Sequence, residues 1–549
     1  MSHTTRQFIL PPILSFRDFI VAAAKALLRA KSLLQALVPS WLSLPSVRRR
    51  ALLTDTALEF LRESEEAFLG PLRSSGGLAK LCATLKAQFR EGLRSSPEAM
   101  LPSYNSKLPS GLEKGQHLAL DVGGSTLRVA LVELGGDSKH QIVRMNSWKI
   151  DNEVRKLRGR EFFDWIAERV RRVVGDESEL GSSAENPLLV GLSWSFPIDQ
   201  TSSSSGKILP MGKGFCADEG LVGADLGEVI QSACLQQSLH ISLAAIVNDS
   251  SATLLSEAYS TPATRFGLIL GTGVNVAAHL PVTLIGREKY GIRPRSWHES
   301  ATHVVVNTEI GMFGREEGSL PLTKWDRQLK AAHPRPDFQP YEQLVGGYYL
   351  GEICRLALID AIESVGVFGG TVPESLRKEY GLDTETLSIV EADTSPSLDK
   401  ALKVFTSRHP SPVTPTVADL KFLQTLSSQI ARRGARLVAA GVVALRELKI
   451  EAEKEMLTLT SGDEQPVQGL EDVPLPKEAA KAAAQRELEL LEKEKLTVAW
   501  NGSVIEKYTG FRGYLEEALD ELVQGTGVEL VQAEESSLVG AAVALVCLE

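Results

Sequence analysis

Two stretches of the sequence join apolar runs through a glycine turn that also carries hydroxyl groups. Residues 118–132 read LALDVGGSTLRVALV, and residues 265–278 read RFGLILGTGVNVAA. Apolar strands on both sides of each turn predict β-hairpins. The turns combine main-chain N–H groups with small hydroxyls, which suits a polyphosphate. The residues concerned are Gly123, Gly124, Ser125 and Thr126 in the first turn and Gly271, Thr272 and Gly273 in the second.

Asp121 lies on the predicted strand directly before the first turn. A carboxylate there suits the Mg2+ ion that accompanies a polyphosphate. Taken alone, the stretch is equally typical of an ordinary tight hairpin with a buried aspartate. The second turn favours the phosphate interpretation, because a repeated turn predicts an internally duplicated α/β protein with a nucleotide between two lobes.

Polar clusters follow several predicted apolar strands, which is where α/β proteins place ligands. Amide and carboxylate side chains suit a polyhydroxylated ligand, because each sugar hydroxyl both donates and accepts hydrogen bonds. Any one of these residues is also typical of a helix cap or a turn. Their occurrence together with two phosphate turns favours a binding site. The clusters contain Ser195 and Phe196 with Lys213 beyond them, Asn248 and Asp249, Asn307 and Glu309, and Glu342 at the start of a predicted helix.

The elements that must position these residues are those of an α/β protein. Helical periodicity over residues 51–94 leads through a linker into a predicted strand–strand–strand–helix–strand order. Residues 338–365 and 417–448 are predicted to be mostly helical. The polar residues 459–495 are predicted as a surface insertion whose end, 477–495, forms an exposed helix. A strand and an apolar helix close the chain.

Composition limits the classes of function. The 549 residues suffice for two lobes, and the net charge of −10 argues against a nucleic-acid partner, which requires a basic surface. The five cysteines are scattered without a C-x-x-C pair. This pattern predicts reduced thiols in an intracellular protein rather than a disulfide framework or a zinc site.

Residues 1–50 differ from the rest of the chain, since they hold eight Lys or Arg residues against one acid, Asp18. Their longest uncharged run, 16 residues with Pro39 and Pro45, is too short and too interrupted to predict a membrane span. No secretory signal is evident. Three interpretations remain open: a mitochondrial targeting segment, an amphipathic surface anchor, and a helix or tail without either role.

Seven motifs, in order, resemble those of eukaryotic-type hexokinases, from about residue 51 to residue 545. LDVGGSTLRV and LILGTGVN resemble the two phosphate motifs of that family. GLSWSFPIDQ with KGF resembles its sugar signature, and VNDSS resembles its catalytic motif. VNTEIGMFG and YEQLVGGYYLGEICRL resemble further sugar motifs, and WNGSVIEKYTGF resembles the segment on the adenosine side.

The resemblance implies the duplicated, ribonuclease H-like α/β fold that sugar kinases share with actin and heat-shock chaperone ATPases. Its two lobes enclose a ligand cleft. The implied organisation is a basic segment at 1–50, a helical lead-in on the large lobe at 51–100, a small lobe at 101–252, and a large lobe at 253–549 with an insertion at about 461–495.

The resemblance also implies ATP- and Mg2+-dependent phosphorylation of a hexose, glucose foremost, at its 6-hydroxyl, feeding glycolysis. The implied catalytic residues are Asp249, which acts as the general base, and Lys213. Asp121 is implied to bind Mg2+ through water. The implied sugar ligands are Ser195, Phe196, Lys213, Asn248, Asp249, Asn275, Glu309 and Glu342. The implied nucleotide contacts are Gly123, Gly124, Ser125, Thr126, Arg128, Gly271, Thr272, Gly273, Asn501, Gly502 and Ser537.

Departures from the family pattern keep other functions open. Gly212 replaces a sugar-contacting threonine, and residues 535–538 read ESSL where the family has DGSG. We expect Leu538 to hinder adenosine binding if it faces the nucleotide. A sugar-responsive regulator with little activity is therefore the alternative to an active hexokinase, whereas the sugar motifs argue against an actin-like or chaperone-like ATPase. Expected partners are a hexose and ATP, in a cytoplasmic monomer or homodimer that associates with the mitochondrial outer membrane through residues 1–50.

Overall fold

A computed structural model describes residues 53–73, 75–175, 183–212, 214–460, 477–523 and 526–547. Every element given below lies in the unit Thr54–Glu549. The predicted N-terminal segment and part of the predicted insertion, residues 461–476, lie outside the described residues. No helix in the described ranges is long and apolar enough to cross a lipid bilayer.

Thirteen strands are formed by the described residues, most of them in two sheets. In chain order they are β1 (Leu101–Pro102), β2 (Lys114–Val122), β3 (Thr126–Gly136), β4 (Lys139–Lys149), β5 (Leu188–Trp194), β6 (Ile198–Gln200), β7 (Gly206–Ile208), β8 (Ile241–Val247), β9 (Thr264–Leu270), β10 (Val274–Pro281), β11 (His303–Asn307), β12 (Leu496–Asn501) and β13 (Val528–Gln532).

The α-helices of the described ranges are α1 (Asp55–Arg73), α2 (Ser75–Ser95), α3 (Asn152–Arg155), α4 (Arg160–Val174), α5 (Leu226–Gln236), α6 (Asp249–Ser260), α7 (Arg295–Ser300), α8 (Lys324–Ala332), α9 (Glu342–Val345), α10 (Gly347–Val365), α11 (Glu374–Arg377), α12 (Thr384–Ala392), α13 (Asp399–Arg408), α14 (Val417–Thr460), α15 (Lys477–Lys493), α16 (Ser503–Lys507), α17 (Phe511–Leu522) and α18 (Ser536–Val546). Short 3-10 turns link several of them.

The first lobe contains a five-stranded sheet in the order β4-β3-β2-β5-β8. The predicted hairpin is confirmed, because β2 pairs antiparallel with β3. Strands β2, β5 and β8 are parallel, with Val122 opposite Trp194 and Ser193 opposite Val247. Since the carboxyl ends of these strands meet at one edge, the residues that follow them lie along that edge.

The second lobe contains a six-stranded sheet in the order β1-β11-β10-β9-β12-β13. The second predicted hairpin is also confirmed, by the antiparallel pairing of β9 with β10. Asn275 and Asn501 both lie opposite Ile269, and Asn307 lies opposite Ala277. The turn after β9 and the carboxyl ends of β11 and β12 therefore share one edge. Leu101–Pro102 pair with β11, so these two residues belong to this sheet.

Helices α6 and α18 lie together between the two sheets and share one apolar core with them. The helices approach closely at Gly540, where a Cβ would lie 2.0 Å from the carbonyl oxygen of Ala252. Gly191 of β5 meets α18 in the same way, because its Cβ would lie 2.0 Å from the carbonyl oxygen of Ala541. The side-chain oxygens of Thr253 and Ser536 lie 3.0 Å apart across the helix pair. Both sheets thus pack against this pair of helices.

Helices α1 and α2 pack against α14, the 44-residue helix of the second lobe. The Ser64 hydroxyl donates to Oε1 of Gln429 at 2.7 Å. Lys86 forms ion pairs with Glu447 at 2.9 Å and Glu451 at 2.6 Å. The lead-in helices are thus fixed to the second lobe by both buried and partly exposed polar contacts.

The helix predicted for residues 477–495 is present as α15, but the expectation that it is exposed is wrong for one of its faces. Ala480 and Ala484 are fully buried. Glu487 forms an ion pair with Arg265 of β9 at 2.7 Å and another with Lys449 of α14 at 2.9 Å. The charge-rich composition hid this packing, because the cations that Glu487 meets lie far away in the sequence.

Candidate active site

The first phosphate turn follows β2 and is closed by a bond from the N–H of Gly123 to the carbonyl oxygen of Thr126, at 3.0 Å. Ser125 is exposed at the tip of the turn, and its carbonyl oxygen accepts from the N–H of Ile150 at 2.8 Å. Neither Gly123 nor Gly124 has a left-handed φ. These glycines therefore do not serve a left-handed turn, and their lack of side chains leaves the main chain open to approach.

Asp121 and Arg128 form a partly buried ion pair beside this turn. The Nε and Nη2 atoms of Arg128 donate to Oδ2 of Asp121 at 3.0 and 2.6 Å, and Nη1 donates to Glu535 at 2.6 Å. Burial disfavours the charged guanidinium, but the two carboxylates outweigh it and raise the pKa of Arg128. The guanidinium of Arg128 therefore stays charged next to the turn, with its two carboxylate partners beside it. Both bonds to Asp121 use Oδ2, so Oδ1 fits a water molecule of a hydrated Mg2+ ion.

The predicted sugar signature follows β5. The N–H of Ser195 donates to the carbonyl oxygen of Val122 at 3.2 Å, which joins this segment to the end of β2. The Phe196 ring is buried with its centroid 4.8 Å from that of Phe215. Lys213 lies outside the described residues. Its neighbour Gly212 has φ +66°, a left-handed conformation that a threonine at this position would adopt only with strain.

Asn248 and Asp249 form the start of α6, directly after β8. Oδ1 of Asn248 accepts from the N–H of Ser251 at 2.8 Å as the N-cap, and Oδ1 of Asp249 accepts from the N–H of Ser250 at 2.7 Å. Both side chains are half-buried. The positive end of the helix dipole favours the ionised carboxylate of Asp249, which is the form that can accept a proton.

The second phosphate turn is held against the start of α10. The N–H of Gly271 donates to the carbonyl oxygen of Gly273 at 3.0 Å, and the N–H groups of Gly347 and Tyr348 donate to the carbonyl oxygens of Gly271 and Thr272 at 2.8 and 3.0 Å. The Thr272 side chain is exposed at the tip. Like the first turn, this one presents a hydroxyl group and main-chain atoms to solvent at a strand end.

The predicted sugar ligands of the second lobe form one cluster. Nδ2 of Asn275 donates to Oδ1 of Asn307 at 2.9 Å, and Nδ2 of Asn307 donates to Oε1 of Glu309 at 2.8 Å. Oε2 of Glu342 accepts from the N–H of Val274 at 3.0 Å. Sequence reasoning grouped Asn307 with Glu309 but gave it no role. The structure shows that it bridges Asn275 and Glu309, a contact between strands that the sequence motif alone does not reveal.

The segment predicted on the adenosine side touches the second phosphate turn. A Cβ on Gly502, whose φ is +124°, would lie 2.4 Å from the carbonyl oxygen of Leu270, so only glycine fits there. Nδ2 of Asn501 donates to the carbonyl oxygen of Ala533 at 2.8 Å, a bond that the family's aspartate could not donate. A cavity of about 440 Å³ lies beside this segment, with Trp500, Lys507, Tyr508 and Gln532 among its lining residues.

The condition under which Leu538 would hinder adenosine binding is not met. Its side chain is fully buried in the apolar core between the sheets. Glu535 lies at the helix N-cap position with a left-handed φ of +45°, next to Arg128, and Ser537 lies in the first turn of α18 with 9% exposure. The phase of α18 decides the direction of this side chain, and Leu538 projects from the helix into the core.

Comparisons with known proteins decide the family. Two family models, both described as Hexokinase, match residues 265–547 and residues 72–259. The first of these matches alone spans more than half of the chain. The chain belongs to the hexokinase family. The boundary between the two matches lies at the end of α6, the helix that begins with Asp249.

This hexokinase is similar to fungal, plant and animal members. It is 30% identical to the hexokinase of Kluyveromyces lactis over 457 residues, covering 82% of this chain and 84% of the relative. It is 32% identical to Hexokinase-1 of Arabidopsis thaliana over 499 residues, covering 88% and 90%. The solved hexokinase of Schistosoma mansoni complexed with glucose matches with a TM-score of 0.68 and 26% identity, covering 89% of this chain and 100% of that one.

The family fixes the general activity, which is ATP-dependent phosphorylation of a hexose. It also confirms the two-lobe sugar-kinase fold that the motif resemblance implies. Within this fold the described parts of both phosphate turns, of the sugar signature and of the catalytic motif lie at strand ends, as the sequence indicates. The roles of the individual side chains remain predictions.

Proposed function

We propose that this hexokinase transfers the terminal phosphoryl group of ATP to the 6-hydroxyl of glucose, with Asp249 as the general base. The observation that carries the proposal is the position of Asp249 at the start of α6. This helix packs between the two sheets, and its first residue follows β8 beside the strand end that leads into Ser195. The helix N-terminus keeps a carboxylate at this point ionised, and an ionised carboxylate can accept the hydroxyl proton.

Sugar binding draws on both lobes. Ser195 and Asn248 supply polar groups from the first lobe, while Asn275, Glu309 and Glu342 supply them from the second. Amide and carboxylate side chains can satisfy hydroxyl groups that donate and accept at once. Closure of the lobes around the sugar would exclude water, which otherwise competes with the sugar as phosphoryl acceptor.

Phosphate binding is proposed at the two glycine turns. Arg128 supplies positive charge beside the first turn, and Asp121 would hold Mg2+ through water, as the geometry of its Oδ1 permits. When bound, Mg2+ bridges phosphate oxygens and neutralises their charge. The exposed hydroxyls of Ser125 and Thr272 are placed to accept or donate hydrogen bonds to the phosphates.

A coupled assay of glucose 6-phosphate formation tests the assignment of Asp249. Removal of a general base costs about 10²- to 10⁴-fold in rate, so Asp249→Ala should lower kcat by that factor. Asp520→Ala, which alters an exposed aspartate on α17, should leave kcat unchanged. Calorimetry should show that Asp249→Ala still binds glucose. Wild-type protein that binds glucose but makes no phosphorylated sugar would refute the function, and unchanged turnover in Asp249→Ala would refute the base.

Within the described residues, the site does not favour the alternative of a sugar-responsive regulator. Gly212 and residues 535–538 were the two arguments for that alternative, and in the second of these Leu538 lies in the core. The amide of Asn501 has a structural partner of its own. The actin-like or chaperone-like ATPase is disfavoured further by the cluster of Asn275, Asn307 and Glu309, which an ATPase without a sugar substrate would not need.

We also propose that the protein acts in the cytoplasm and associates with the mitochondrial outer membrane through residues 1–50. The support is the basic and apolar composition of that segment, which suits an anionic membrane surface. Deletion of residues 1–50 from a tagged protein should shift it from mitochondria to the soluble fraction. An unchanged distribution would contradict this proposal and leave the catalytic one intact.

A further inference from the structure

Arg155 makes contacts in two directions from the end of the short helix α3. Its Nη2 donates to the carbonyl oxygen of Gly124 at 2.9 Å. Its guanidinium carbon lies 5.6 Å from the centroid of the Phe215 ring, and its own carbonyl oxygen accepts from the N–H of Cys216 at 2.9 Å. Arg155 therefore contacts both the first phosphate turn and the segment formed by Phe215, the last residue of the KGF motif, and Cys216.

The phosphate-turn contact fixes a particular peptide plane. The carbonyl group of Gly124 and the N–H group of Ser125 belong to the same planar, trans peptide unit and point in opposite directions. Holding the carbonyl oxygen therefore also fixes the direction of the Ser125 N–H. Glycine has no Cβ to restrict this peptide, so without an outside contact it could rotate more readily than at other residues.

The contact of Arg155 with the Phe215 ring connects it to the sugar signature. The Phe215 ring packs against Phe196 with centroids 4.8 Å apart and against Phe162 at 5.7 Å. Phe196 follows Ser195, whose N–H is bonded to the end of β2. A change in the position of the Phe215 segment would therefore move the guanidinium that holds Gly124.

The charge of Arg155 adds to this geometry. Its Nε is buried and has no hydrogen-bond partner among the described residues. The acceptor on Gly124 is a neutral carbonyl oxygen, and no ion pair of Arg155 is found among the described residues, so its positive charge lies beside the phosphate turn without a carboxylate partner there. Such a charge favours bound phosphate, in addition to the ion-paired charge of Arg128.

We propose that Arg155 is a positioning residue that couples hexose binding to nucleotide binding. The identity of the two ligands rests on the proposed function. When a hexose bound at Ser195 holds the neighbouring Phe196 against Phe215, Arg155 is held over the Phe215 ring, the Gly124 peptide is fixed, and the phosphate turn becomes ready for ATP. By linkage, bound nucleotide must tighten hexose binding by the same factor.

The test measures that factor by calorimetry. Glucose dissociation constants are determined with and without a saturating non-hydrolysable ATP analogue and Mg2+. Couplings of this kind are typically about 5- to 150-fold, and we expect the wild-type ratio to lie in that range. Arg155→Met, which keeps an unbranched apolar stem but removes the guanidinium with its charge and donors, should reduce the ratio to about one while glucose binding alone changes little.

Arg158→Met is the matched control. Arg158 lies three residues further on, is exposed, and forms an ion pair with Glu219 at 3.3 Å rather than contacting either loop. Its substitution should leave the ratio at the wild-type value. Arg155→Lys, which retains charge and can still reach a carbonyl oxygen, should give an intermediate ratio. This variant also provides a folded alternative if Arg155→Met is unstable.

A second perturbation acts on the other end of the link. Phe215→Leu should also lower the ratio, and the double variant Arg155→Met/Phe215→Leu should be no lower than either single variant, because both changes break one link. A wild-type ratio of one, or an unchanged ratio in Arg155→Met, overturns the proposal. Because turnover by the wild type is measured separately, a protein that phosphorylates glucose without coupling refutes Arg155 alone, whereas a protein without turnover refutes the proposed function.

Discussion

Gly273 offers a way to disturb the proposed sugar site without disturbing the fold. A Cβ at this position would lie 2.2 Å from Oε2 and 2.8 Å from Cδ of Glu342, closer than non-bonded atoms can approach. The carboxylate is the far end of a flexible side chain, so it can move while the backbone stays in place. In doing so it must give up the bond from the N–H of Val274, which is 3.0 Å long.

The magnitude follows from the bonds that Glu342 loses. Hydrogen bonds to a charged group contribute about 1.5–3 kcal/mol, which corresponds to about 10- to 150-fold in affinity. Gly273→Ala should therefore raise the KM and the dissociation constant for the hexose by about 10- to 150-fold. The melting temperature should change by only a few degrees, because the new methyl group displaces a side-chain end and no backbone.

Gly271→Ala is the control for this prediction. It lies two residues away in the same turn, yet its Cβ would meet nothing closer than the Ser503 nitrogen at 3.4 Å, which is an ordinary contact. Neither glycine has a left-handed φ, so alanine introduces no backbone strain at either position. Steady-state kinetics across hexose concentrations and a thermal melt provide the readouts. Equal KM values for the two variants, or a wild-type KM for Gly273→Ala, would refute the proposed role of Glu342.

Two further predictions concern the buried charges between β9, α14 and α15. Lys449 is fully buried, and its Nζ lies 2.7 Å from Glu453 and 2.9 Å from Glu487. Because Lys449→Met would leave both carboxylates without this partner, it should lower the free energy of unfolding, measured by urea titration, by about 3–5 kcal/mol. An effect below about 1 kcal/mol would contradict this reasoning. Burial, reinforced by His303 and Lys449, holds the pKa of His279 well below its ordinary value of 6.5. As the pH falls through about 6.5, the unfolded chain therefore binds a proton at His279 that the folded protein does not bind. The free energy of unfolding then decreases by up to about 1.4 kcal/mol per pH unit. His279→Phe should flatten this pH dependence of stability between about pH 6.5 and 5, and an unchanged slope would contradict the prediction.

The elements that sequence reasoning predicted well are those encoded by local patterns. Residues 118–132 and 265–278 form the expected hairpins, because alternating apolar side chains and a short turn are sufficient to specify them. The strand ends that carry Ser195 and Asp249 were also located correctly. In each case the signal and the structure lie within about 15 residues of one another.

The features that could not be predicted depend on partners far away in the chain. Arg155 meets Gly124 and Phe215, and Glu487 meets Arg265, at separations that no local pattern encodes. The direction of Leu538 depends on which face of α18 meets the sheets. A sequence motif specifies which residue type is present, but the packing of helices on sheets decides whether that residue faces a ligand or the core.

The duplicated fold repeats one device at its two phosphate turns. In the first lobe the guanidinium of Arg155 holds a carbonyl oxygen of the turn, and in the second lobe the carboxylate of Glu342 holds the N–H that directly follows the turn. In both lobes the side chain belongs to, or packs on, a segment assigned to the sugar. Hexose binding can therefore act on the phosphate turn of each lobe directly, through a single side chain.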